Sequence, residues 1–126
     1  MKKVIHTDEA PGAVGPYSQA IHAGDLIFTS GQVALDPKTG KMVAGGIKEQ
    51  ARQVMENLKA ILEAAGSDLS KVLKATVFLD DISTFAQVNE IYAEYFPEDQ
   101  PARSAFQVGA LPLGALIEIE LVALAR

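Results

Sequence analysis

A chain of 126 residues in which 48% are hydrophobic has enough apolar material for one core, and too much for a disordered polymer. Its formal charge of −5, with 11 basic residues scattered along the chain, disfavours a nucleic-acid surface, which needs a basic stripe to neutralise phosphates. Cysteine is absent, which excludes disulfides and thiolate metal ligands, and no apolar run is long enough to span a bilayer.

The opening MKKVIHTDEAPG reaches acidic residues before any apolar stretch, so it does not read as a signal peptide, and a cytoplasmic protein without membrane contact is expected. Residues 2–6 fit a short edge strand. The Pro- and Gly-rich DEAPGAVGPYSQ that follows predicts irregular backbone. AIHAGDLIFTSGQVAL reads as two β segments hinged at Ala23-Gly24-Asp25, and DPKTGK as a further turn.

Apolar residues at Ile47, Ala51, Val54, Leu58, Ile61, Leu62 and Ala65 keep helical spacing and predict an amphipathic helix that Gly66 closes. VLKATVFL predicts a strand over 72–79, with Leu73, Ala75, Val77 and Leu79 on its apolar face. DDIST supplies caps for a second helix whose buried stripe is Phe85, Val88, Ile91, Tyr92 and Tyr95. Two last strands are expected at about 104–109 and 116–124, split by the turn LPLG.

Helices stand between strands only in the second half. The expected fold is therefore α+β, a two-layer sandwich in which a mixed sheet carries two helices on one face. In the last strand Ile117, Ile119, Leu121 and Ala123 share one face, and Glu118, Glu120, Val122 and Leu124 the other. A solvent-facing strand surface stays polar along its length, whereas this one turns apolar. A covering partner is expected there, most simply another copy of the chain.

By residue type alone, Arg103 ahead of an apolar run reads first as a surface residue or ion-pair partner and only second as an anion site, and the two glutamates fit a wet strand end. His6 and His22 lack a carboxylate or histidine at metal-ligand spacing. Asp80-Asp81 is explained by helix capping, and DPKTGK lacks the upstream glycine of a phosphate-binding loop.

The segments VGPYSQAI, FTSGQVALDPKTGK, QVMENLKAILEAAG, KATVFLDDISTFAQVNEIYAEYF and PARSAFQVGALP…IEIE together resemble the RidA/YjgF family, nearly end to end and in the family's order. The resemblance implies a chorismate-mutase-like fold, a homotrimer with ligand clefts between subunits, and hydrolysis of 2-aminoacrylate and related 2-imino acids to 2-keto acids and ammonia without metal or cofactor. It also implies the site. Arg103 would hold the substrate carboxylate through two parallel hydrogen bonds, a geometry that lysine lacks. Glu120, read as the deeper of the two glutamates, would position the hydrolytic water, and Glu118 fits either a site residue or a structural one at a wet strand end. Tyr17, Ser30 and Asn89 would line the pocket. Ala105, where many relatives have cysteine, would offer only its backbone carbonyl, so no thiolate chemistry is available. On this reading the turn at LPLG brings Arg103 and Glu120 together. The rival readings are a 2-keto-acid binding module without turnover and, more distantly, an RNA-directed translation inhibitor or endoribonuclease.

Overall fold

Burial alternates along the long strands and runs in a stripe along both helices, and these two periods set the architecture. The structure, a computed structural model, describes residues 1–126. Strands β1 (Lys2–Ile5), β2 (Ala20–Ala23) and β3 (Leu26–Thr29) form an antiparallel meander, with the β2–β3 hairpin turning at Gly24-Asp25 as expected. Helix α1 (Ile47–Ala64), β4 (Val72–Leu79), α2 (Phe85–Tyr95), β5 (Ala102–Gln107) and β6 (Ile117–Leu124) follow. The six strands make one sheet in the order β1-β2-β3-β6-β4-β5, antiparallel except for the parallel pair β4–β5 that α2 connects. The expected α+β architecture with a mixed sheet and two helices is the one observed.

Alternate residues of the strands (Ala75, Val77 and Leu79; Ile117, Ile119, Leu121 and Ala123) join the apolar stripes of α1 and α2 in a single core. Both helices therefore cover the same face of the sheet. Helix α1 ends as its sequence predicts. Gly66 takes φ +83°, and the Gly66 and Ser67 amides donate to Glu63 and Leu62, which satisfies carbonyls the helix leaves open. The Asp81 side chain caps the short 3₁₀ turn Ile82–Thr84 that leads into α2, through the Ser83 amide at 2.9 Å.

Three local readings need correction. Strand β5 begins at Ala102, so Arg103 lies inside a strand, paired with Ala75 of β4, not upstream of one. Strands β5 and β6 are not neighbours, because β4 lies between them, and the segment LPLG is therefore a crossover, not a hairpin turn. In β4 a register shift between Val72 and Lys74 leaves Leu73 exposed and turns Val72 into the core. One extra residue in a bulge reverses which side chains face inward, and strict alternation cannot show it.

The face without helices carries Leu26 and Phe28 of β3, Val122 and Leu124 of β6, and Phe78 and Phe106, which meet edge to face at 5.3 Å. Phe28 and Phe106 are each 44% exposed. This is the apolar open face that the β6 pattern anticipates.

Candidate functional site

The loop between β1 and β2 carries two prolines and little secondary structure, so its backbone needs partners from elsewhere. Gln19 supplies them. Its buried side-chain amide accepts from the Thr7 amide at 2.7 Å and donates to the Thr7 and Pro11 carbonyls at 3.0 and 2.9 Å. The loop is thereby folded back over the end of β3, where Tyr17 is half exposed and its hydroxyl accepts from the Val14 amide at 3.3 Å. Beyond Phe28 the regular pairing with β6 stops: the Thr29 hydroxyl accepts from the Leu121 amide at 2.9 Å, and backbone pairing resumes at Gln32–Ile119. Ser30 and Gly31 stand in this gap, with the Ser30 hydroxyl donating to the Ser18 carbonyl at 2.6 Å.

The carboxylate of Glu118 fills the space that Gly31 leaves. A Cβ on Gly31 would lie 2.1 Å from Oε2 of Glu118, far inside contact distance. Tyr17, Ser30, Gly31 and Glu118 line one cleft of about 480 Å³, whose remaining wall includes Val14 and Leu113. Glu118 makes no ion pair within the chain. Burial, and secondarily the charge of Glu120, pushes its carboxyl above the ordinary glutamate value. A carboxylate so placed is a proton acceptor without a partner, beside two hydroxyls.

Arg103 lies on the opposite face of the sheet. Its register partner Ala75 is a core residue beneath the helices, and its guanidinium stacks against α2, 4.7 Å from the Tyr92 ring centroid and 5.0 Å from that of Phe85. One guanidinium N–H donates to Asn89 Oδ1 at 2.9 Å. Asn89, Tyr92 and Arg103 line a shallow cleft of about 440 Å³ at the sheet edge. The Tyr92 hydroxyl is buried without a partner, and burial raises its pKa against the opposing influence of Arg103.

The predicted site residues thus fall into two groups. Tyr17 and Ser30 meet in the first cleft, Asn89 and Arg103 in the second, and Ala105 follows Arg103 by two residues on the same face of β5, half-buried against the core. Glu120 joins neither. It pairs with Thr76 on the open face, is exposed, and is not the deeper glutamate; Glu118 is. Within one chain Arg103 and Glu120 are not brought together, because β4 separates their strands and their side chains leave the sheet on opposite sides. His6 does have a carboxylate nearby, since its Nε2 lies 3.0 Å from Asp8 Oδ1, but both are exposed. Gln19, Gly31 and Phe85 were not foreseen as site residues. The only sequence signals for Gly31 and Gln19 are the short segments SGQ and GPYSQ, each weak alone.

A larger polar groove of about 690 Å³ beside α1 gathers charged side chains such as Asp36, Lys38 and Glu56 and contains none of these groups. No helix is long and apolar enough to cross a membrane.

Comparison with known proteins supplies the remaining observations. A family model described as endoribonuclease L-PSP matches residues 7–125. A RutC family protein of Pyrococcus horikoshii is 58% identical over 98% of this chain and 98% of its own. The human 2-iminobutanoate/2-iminopropanoate deaminase is 52% identical over 98% of this chain and 90% of its own. Among solved structures, E. coli TdcF with bound serine superposes with a TM-score of 0.93 at 43% identity, covering 97% of this chain and 98% of that one.

Proposed function

The chain belongs to the RidA/YjgF family, whose model carries the endoribonuclease L-PSP description, and on that premise we propose that it is a deaminase of reactive 2-imino acids. It hydrolyses 2-aminoacrylate, through its imine tautomer, and related 2-imino acids to 2-keto acids and ammonia. The observation that carries this reading is the pair of complementary half-sites: an unneutralised arginine suited to a carboxylate, and an unpaired, half-buried carboxylate suited to water.

The chemistry follows from those two groups. Arg103 holds the substrate carboxylate, which fixes the electrophilic C2. Glu118, not Glu120, orients a water and accepts one of its protons as the oxygen bonds to C2. Glu118 passes that proton to the nitrogen, the C–N bond breaks with its electron pair leaving on ammonia, and the C2 hydroxyl proton is taken back by Glu118 and delivered to that ammonia as the carbonyl forms. Iminium and water thus become 2-keto acid and ammonium, with no electrons exchanged. Tyr17 and Ser30 stand beside Glu118 to contact the ligand, and the Ala105 carbonyl accepts from the imine nitrogen.

Since Arg103 and Glu118 leave opposite faces of one sheet, the complete site is formed between two copies, one supplying each half. The apolar open face, with Phe28 and Phe106 exposed, supports a closed assembly, and a homotrimer is the form we propose.

The test is to generate 2-aminoacrylate with a serine dehydratase and follow its decay. Faster decay with this protein, lost in Arg103→Lys while the circular dichroism is unchanged, is the expected result. An unchanged decay rate with wild-type protein, alongside measurable 2-keto-acid binding, would convert the reading into that of a binding module.

A further inference from the structure

Arg103 differs from Arg52 of α1 in what surrounds its charge. Arg52 donates to Glu94 at 2.5 Å, and that carboxylate neutralises it. No aspartate or glutamate lies within ion-pair reach of Arg103. Two aromatic faces and one amide oxygen hold it instead, all from α2, at Phe85, Asn89 and Tyr92. The spacing of four and then three residues puts these side chains on one helix face, above the strand that carries Arg103.

We infer that Phe85, Asn89 and Tyr92 are positioning residues for Arg103, an uncharged cradle that fixes the guanidinium plane while leaving its charge available to the substrate carboxylate. This rests on the anion-holding role proposed above for Arg103. The rings restrict the plane through cation–π contact, which orients a cation without neutralising it. Asn89 takes one N–H of five, so the fork keeps donors for a two-point contact. An aspartate at position 89 would have nearly the same shape as asparagine, yet would pair with the arginine and compete with every incoming anion. The amide there is what keeps the cation unsatisfied. Tyr92 contributes its ring and not its hydroxyl, which has no partner.

The cradle is tested with Asn89→Asp, Tyr92→Phe, Tyr92→Leu and Phe85→Leu, reading KM and kcat for imine turnover and, separately, Kd for 2-oxobutanoate by calorimetry. Tyr92→Phe keeps the ring and is expected to stay within about twofold of wild type in all three. Asn89→Asp and Tyr92→Leu are expected to raise KM and Kd roughly tenfold, with kcat changing much less, because the carboxylate is held equally in ground and transition states. Phe85→Leu is expected to move the same way. A purely structural role would lower the folded fraction and leave the KM of the remaining enzyme unchanged. Wild-type KM and Kd in Asn89→Asp, or weakened binding in Tyr92→Phe, would overturn the cradle. Wild-type protein that binds 2-oxobutanoate without turnover removes the deaminase reading, and the Kd series still decides the cradle. Absence of both binding and turnover in the wild type overturns both.

Discussion

Gly31 has an ordinary backbone conformation, so its position requires the absence of a side chain and not a special φ. The vacated volume is the seat of the Glu118 carboxylate. Gly31→Ala is therefore expected to push that carboxylate out of the cleft and lower turnover on the order of a hundredfold, the scale of a lost general base. Binding of 2-oxobutanoate through Arg103 should change only a few-fold, and calorimetry beside a turnover assay separates the two. Glu118→Gln should lose at least as much activity, and Glu120→Gln less than about tenfold. The two glutamates also interact through their charges. Burial first and Glu120 second raise the Glu118 pKa, and in its proposed role as a base Glu118 would have to be ionised. Activity should accordingly fall on acidification through that raised value, and Glu120→Gln should move this acid limb to lower pH. The same shift has a stability sign. A carboxyl that ionises less readily when folded costs stability at neutral pH, and the cost fades as pH drops to the ordinary glutamate value. Glu118→Gln should melt higher than wild type at neutral pH, and the difference should vanish below that value.

Among the elements, those with a strict period were the most legible. Helix α1 and its glycine stop, strand β4 beyond its bulge at Leu73, and the apolar parity of β6 follow from spacing, because burial against a second layer imposes it. What spacing could not show is which of two same-parity glutamates faces the cleft. Glu118 and Glu120 leave β6 on one side, and the choice is made by the gap at Ser30-Gly31, a feature of another segment. The sequence pattern puts Arg103 outside its strand for a related reason. Strand β5 is a partly exposed edge paired in parallel with β4, and its residues ARSAFQ carry no alternation to mark where it starts. The loop before β2 is held by the single buried side chain of Gln19, whose contacts are all with backbone groups that no sequence pattern reveals. Gln19→Ala would strand a part-buried amide and two part-buried carbonyls, and is expected to cost about 1–3 kcal/mol in urea unfolding. It should also expose 8–16 to limited proteolysis and raise KM through Tyr17.

For the whole molecule, the sheet acts as a partition. Side chains of one parity reach the helical layer and Arg103, and those of the other reach the cleft of Glu118. If catalysis needs both, variants defective on either side should complement. Arg103→Lys and Glu118→Gln proteins, each inactive, should regain about a quarter of wild-type activity when unfolded together and reassembled in equal amounts, since one junction in four then joins two intact halves. Activity that stays at the level of the separate variants would place the whole site in one chain. Under the proposed assembly, the open face of Phe28, Val122 and Leu124 would set the kinetic order of the enzyme in itself. Dilution below the dissociation constant of that contact would separate the half-sites without altering either one. Specific activity should then decline, which would make the protein's own concentration a variable of its rate law.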